Sequence, residues 1–230
     1  MKRKITWIIA FIPLILMAVM YKYLPEQVPR NFDLSGNASN YGHKSTYFIP
    51  ALLPLVSSIV YEVIFSFQKR NKLQGKEAEN SRINNGTLQN VILILNIFFT
   101  FLVGLLILLA LKITDGFTSS FPISKILCIA MGIIFVLMGN LMPKTRRNTW
   151  LGFRTKWTRY NDVTWSKSHR FIGFAMVISG VLIILSAILF SGEILFYIMI
   201  GLLSAVMLIG SIKSYIYYLE ETEHEHRTTK

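Results

Sequence analysis

The sequence predicts an all-α integral membrane protein, a bundle of six transmembrane helices with both termini in the cytoplasm, on three observations. Apolar residues make up 53% of the 230-residue chain and fall in runs of 19 or more, long enough to cross roughly 30 Å of hydrocarbon. Charged residues make up only 16%, against about 25% in a soluble domain. With the N-terminus inside, 19 of the 24 Lys and Arg residues lie on cytoplasmic segments and five on outer ones, which is the asymmetry of the positive-inside rule. The net charge of +12 therefore has a membrane explanation, and no direct contact with nucleic acid is expected.

Each element follows in order. Residues 1–23 begin with Lys2, Arg3 and Lys4 and continue as an apolar run broken by Pro13. The run is longer than a signal-peptide core and no small-x-small cleavage site follows, so it is read as an uncleaved signal anchor and first span. Residues 24–46, rich in Pro, Gly and Asn without helical period, are expected to form an extracellular cap. Residues 47–142 hold spans two to four, at 47–67, 91–111 and 123–142. The polar segment 68–88 between the second and third is expected to be a mobile inner loop. Residues 143–170 form a second, larger cytoplasmic loop, residues 171–218 a hairpin of spans five and six, and residues 219–230 a solvated cytoplasmic tail. Ser191, Gly192 and Glu193 leave only a tight turn between the last two spans, which makes them antiparallel neighbours. Cys128, the single cysteine, lies in an apolar run and reads as a small buried hydrophobe, with neither an intrachain disulfide nor a Cys-based metal site available.

The loop 143–170 carries most of the unusual chemistry. Trp150, Trp157 and Trp165, three of the four tryptophans, lie there with Phe153 and Tyr160 among eight basic residues. One reading is an interfacial segment, with indole rings at headgroup depth and cations facing anionic lipid. The other is a folded re-entrant or amphipathic turn, because Asn148, Gly152 and Thr155 are interleaved with the aromatics; it would present Arg154 and Arg170 as anion or partner contacts. Within the spans, Glu62 is expected to pair with Lys69, Arg70 or a basic residue of this loop, and Asn96 and Asn140 to hydrogen-bond between helices. Lys213 is expected to snorkel. His43, His169, His224 and His226 are scattered, and the last two are two apart, which does not converge on a metal. No metalloprotease, phosphate-loop or nucleophile-elbow motif occurs, so neither catalysis nor a cofactor is expected. Asn37-Ala38-Ser39 fits a glycosylation sequon, a pattern frequent by chance.

Two stretches carry a family resemblance. Gly139-Asn140-Leu141-Met142-Pro143-Lys144, then Asn148 through Trp157 with Gly152, Arg154 and Thr155, then Trp165-Ser166-Lys167-Ser168-His169-Arg170 and Gly173, resemble the signature of the SdpI family. Pro25, Pro29, Gly36, Tyr41 and Lys44 of the outer loop resemble the extracytoplasmic module of unknown function, DUF1648, that precedes it. The family pattern usually has His at Asn31, Pro at Lys156 and Thr at Ser168. The resemblance implies a multi-pass bacterial plasma-membrane protein that confers immunity to a secreted antimicrobial peptide toxin. In some members the same protein holds an autorepressor at the membrane, which implies a cytoplasmic repressor as a further partner beside toxin and membrane lipids. Two other readings stand beside it. A membrane enzyme would gather His169, Arg154 and Arg170 around a lipid phosphate, and a small exporter would need a polar pathway through Glu62 and the asparagines.

Overall fold

The computed structural model describes residues 2–33, 38–70, 74–114, 123–148 and 150–228. Gly36 and Asn37 of the outer loop, Thr149 of the signature, and Lys72 and Lys230 lie outside the described residues. Six helices are long and apolar enough to cross a membrane: α1 (Lys2–Met20), α2 (Phe48–Arg70), α3 (Gly75–Thr114), α4 (Ile123–Leu141), α5 (Asp162–Leu189) and α6 (Gly192–Thr228). Between α1 and α2 an antiparallel hairpin pairs β1 (Gln27–Phe32) with β2 (Ala38–His43), the register slipping between Pro29 and Phe32. The cap expected at residues 24–46 is thus a small β-hairpin, followed by a 3-10 turn at Lys44–Tyr47.

The packing follows from the solvent. On α1 the buried residues are Thr6, Ala10, Pro13 and Met17, and on α2 they are Ala51, Pro54, Ser58 and Tyr61. Ile8, Ile15, Val19, Ile49, Val56 and Val63 on the same helices are exposed. Burying leucine against leucine gains little when the alternative is a lipid tail, so small and hydrogen-bonding residues are selected at helix contacts. Asn96, fully buried on α3, is the centre of one such contact. Its amide nitrogen donates to Ser58 Oγ (3.0 Å) and to the Thr6 carbonyl (3.3 Å), and Ser57 Oγ donates to its Oδ1 (2.7 Å). One asparagine thereby ties α1, α2 and α3 together, as the sequence leads one to expect.

The helices form two groups, α1–α2–α3 and α4–α5–α6, with α3 touching α4 only lightly. The second group is held by glycine. A Cβ on Gly139 would lie 2.6 Å from the Gly173 carbonyl oxygen, and one on Gly132 would lie 2.7 Å from that of Gly180. The reverse contacts are equally close, so α4 and α5 run antiparallel with their backbones nearly touching at two points, each helix contributing glycines seven residues apart. Asn140, beside this contact, is exposed, so the helix-to-helix role expected for it falls to Gly139 instead. Cys128 is buried, with Ile183, Ala187 and Leu195 around it. At one end of the bundle the two groups are joined by Phe32 of the hairpin, which packs on Leu105, Leu109 and Ile123.

Two polar segments depart from expectation. The stretch 68–88 is largely helical, since α2 runs to Arg70 and α3 begins at Gly75, with Ser81 donating to Gln68 Oε1 (2.8 Å) across the two helices. Hydropathy reports the medium around a segment, and Lys76, Glu77, Ala78 and Glu79 are good helix formers. The tail, expected to be solvated, is exposed at residues 223–227 but helical: α6 continues through Thr228, and Tyr160 of the signature segment bonds its Glu225.

Candidate functional site

The segment between α4 and α5 folds around its own side chains. Asn148 Oδ1 accepts from the amides of Trp150 and Leu151 (both 2.7 Å), while its amide nitrogen donates to the carbonyls of Arg146 (2.6 Å) and Leu151 (3.0 Å). Thr155 and Thr158 close the next turn: the Thr155 amide donates to Thr158 Oγ1 (2.8 Å) and the Thr158 amide to Thr155 Oγ1 (3.0 Å). Asn161 then caps α5, its Oδ1 accepting from the Thr164 amide (2.8 Å), which satisfies an amide the helix cannot.

At the centre stand Trp165 and His169, both buried, with ring centroids 4.0 Å apart and planes within 19°. Trp165 Nε1 donates to the Thr145 carbonyl (3.1 Å), pinning the start of the segment to α5. His169 Nε2 accepts from the Phe153 amide (3.0 Å), so Nδ1 carries the proton and donates to the Trp165 carbonyl (2.9 Å). The ring is thereby neutral with both nitrogens occupied. Gly152 has φ +109, and any Cβ there would strike His169 Nε2, so only glycine fits beside the imidazole.

The outer faces of this core meet other elements. Thr155 Oγ1 lies 3.1 Å from Ser214 Oγ on α6, and Trp157 packs edge-on against Tyr215. Tyr160 packs on Tyr218 and donates to Glu225 Oε2 (2.6 Å), a bond that raises its hydroxyl pKa above the ordinary tyrosine value. Toward α3, Asn84 brackets Arg146 with both amide atoms, accepting from its backbone amide (2.8 Å) and donating to its carbonyl (3.1 Å). Arg147 reaches Asp162 (3.0 Å), and Lys76 of α3 pairs with the same carboxylate. Trp150 packs on Phe67 of α2. The segment therefore joins both helix groups at the end of the bundle opposite the hairpin.

Of the residues expected to form a site, Asn148, Gly152, Thr155, Trp157, Trp165 and His169 are brought together, as structure rather than as exposed chemistry. Lys144, Arg154 and Arg170 are exposed, and Lys167 sits 3.8 Å from both Glu220 and Glu221. Arg170 lines a shallow groove with Asp162, Ser166 and Tyr217, a lining that includes neither His169 nor Arg154. Pro143, in a 3-10 turn at Met142–Lys144, places its ring over Gly173. Glu62 is matched differently from expectation: its carboxylate takes a two-pronged contact from Arg3 and accepts from Trp7 Nε1 (3.2 Å). Lys69 and Arg70 follow it by two turns on the same helix, whereas α1 lies directly alongside, so the nearer guanidinium takes the carboxylate. Lys213 Nζ lies 5.9 Å from the Phe171 ring centroid. No group of His, Cys, Asp or Glu among the described residues has the arrangement of a metal site.

In the hairpin, Tyr47 donates to the buried Pro29 carbonyl (2.8 Å), and Tyr41 is exposed opposite Pro29. The Lys44 ammonium, 3.0 Å from Glu26, holds that carboxyl below the usual carboxylate range, with His43 adding a smaller effect. Leu24, which precedes Pro25, and Val28 pack with Met17, Tyr47, Ala51 and Val103, seating the hairpin on α1, α2 and α3.

Residues 144–214 match the model of the SdpI/YfhL protein family, and residues 8–53 that of the domain of unknown function DUF1648. The chain thus resembles the SdpI family in its signature segment and in the module that precedes it. The immunity protein SdpI of Bacillus subtilis (strain 168) is 27% identical over 217 residues, which cover 94% of this chain and 96% of that protein. No solved structure matches the chain. The SdpI match ends at Ser214, the α6 residue that Thr155 reaches, so it takes in the segment together with the helices that hold it. The DUF1648 match is wider than the outer loop: it runs from within α1 to within α2 and contains the hairpin with its seat. Sequence reasoning missed Thr145, Thr158, Asn161 and Ser214 of this architecture. The Thr155-x-x-Thr158 and Asn161-x-x-Thr164 spacings were the available signals.

Proposed function

We propose that this chain is a member of the SdpI family and an immunity protein of a bacterial plasma membrane, protecting its cell from a secreted antimicrobial peptide toxin by binding rather than catalysis. The observation that carries the reading is likeness along nearly the whole chain to a protein named for immunity. The 19-to-five division of basic residues supports a hairpin on the outer face and a signature segment and both termini in the cytoplasm. In that orientation the exposed hairpin surface around Tyr41 is the part that meets the toxin. The commitment of both His169 nitrogens to backbone groups supports a structural part for the signature, with no free base at its centre. The exposed face bearing Trp150, Arg154 and Lys156 is the surface on which a cytoplasmic repressor would dock. Expression of the chain in a sensitive bacterium tests the reading. Survival against the peptide toxins of its relatives should rise, and equal killing with and without the protein, at verified membrane levels, would refute it.

A further inference from the structure

The inner ends of α2 and α3 enclose a groove of about 430 Å³ that neither family match covers. Its two halves differ in chemistry. Tyr61 and Phe65 line the part deeper in the span, while Gln68, Lys69, Ser81 and Arg82 line the part toward the basic end. The Ser81 to Gln68 hydrogen bond links its two walls. Asn85 Oδ1 and Gln89 Nε2, both lining residues, are shut off from solvent and have no hydrogen-bond partner among the described residues. Buried polar atoms of this kind are normally satisfied, and a turn of either amide toward the groove it lines would give the open atom a polar ligand to bond. Lys69 and Arg82 at the rim are in no ion pair among the described residues, so their charge is available to an anion. Over the seven residue steps from Tyr61 to Gln68 the groove extends about 10 Å along α2. That length carries it from aromatic to cationic lining.

We propose that this groove binds the phosphate-bearing headgroup of an anionic membrane lipid. The phosphate meets Lys69 and Arg82 through charge-assisted hydrogen bonds, the glycerol region meets Asn85 and Gln89, and the first acyl carbons lie on Tyr61 and Phe65. A free phosphate ion would use the cationic half and leave the aromatic half without a role, so the amphiphile is the better match. This site is independent of the immunity reading.

The test uses the full chain purified in detergent, with lipid retention read by native mass spectrometry against phosphatidylglycerol, phosphatidylcholine and inorganic phosphate. Phosphatidylglycerol should be retained in preference to phosphatidylcholine, and Lys69→Gln with Arg82→Gln should weaken retention about tenfold. A Cβ at Gly86 meets nothing within 4 Å, so Gly86→Trp can enter without a backbone clash and should block the groove. Arg159→Gln, an exposed charge change on the signature segment, should leave retention unaltered. Equal retention of the two lipids would overturn the preference for an anionic headgroup, and equal loss from Arg159→Gln and Arg82→Gln would overturn the site by reducing it to a general charge effect. Inorganic phosphate displacing the lipid at equal affinity would overturn the lipid assignment. The charge variants keep the test decisive if Gly86→Trp fails to fold, because they alter only exposed or rim side chains.

Discussion

Single residues decide two features of this molecule. His169 is held as one neutral tautomer between the Phe153 amide and the Trp165 carbonyl, with Gly152 against its edge. His169→Ala removes the acceptor of a part-buried amide and the stacking partner of Trp165, and should cost about 2 kcal/mol, read as a lowered midpoint in thermal unfolding of the detergent-purified protein. Trp165→Phe keeps an aromatic ring beside His169 but loses the bond to Thr145 and leaves part of the buried indole's space empty, so its midpoint should fall as well. Glu62 makes the second case, because its partner is Arg3 rather than a residue of the signature. Arg3 is half exposed, which weakens the pair by solvent screening, so Arg3→Gln and Glu62→Gln should each cost about 1 kcal/mol or less. The double variant should cost little more than either, since both singles break one interaction. Arg154→Lys should leave that coupling unchanged.

At the scale of elements, the α4–α5 contact depends on four glycines whose missing side chains let two backbones meet. Gly139→Leu or Gly180→Leu forces the helices apart and should lower stability by about 1–3 kcal/mol or more. Gly104→Ala on α3 is the control, because a Cβ there meets nothing within 4 Å, and its thermal midpoint should stay level or rise. Spans were legible in the sequence because hydropathy measures the medium a helix crosses. Asn96 was legible too, since an amide in an apolar run must find partners. The glycine contact was not, for glycine has neither charge nor strong hydropathy, and its only trace is the seven-residue spacing shared by Gly132 and Gly139 with Gly173 and Gly180. Helix ends were misread where polar sequence continues a helix past the membrane, as at Gly75 and Thr228. Those turns are held by tertiary bonds, such as Asn84 to Arg146 and Tyr160 to Glu225, that pair residues far apart in the chain.

For the whole molecule, two helix groups are joined at one end by Phe32 of the hairpin and at the other by the signature segment. The signature residues were found by pattern, but their part was not readable from pattern alone. Asn148, Gly152, Thr155 and His169 resemble chemistry in sequence and serve as hydrogen-bonded structure in space. That leaves recognition to surfaces, and under the proposed function and orientation the hairpin is where the toxin would be met. The most direct measurement is retention of a fluorescently labelled toxin, one that the protein protects against, by spheroplasts with and without the full chain. The account predicts saturable retention that scales with the amount of protein in the membrane, falls in Tyr41→Ala, and returns the toxin unaltered in mass. Retention that is the same with and without the protein, or toxin recovered chemically changed, would contradict it.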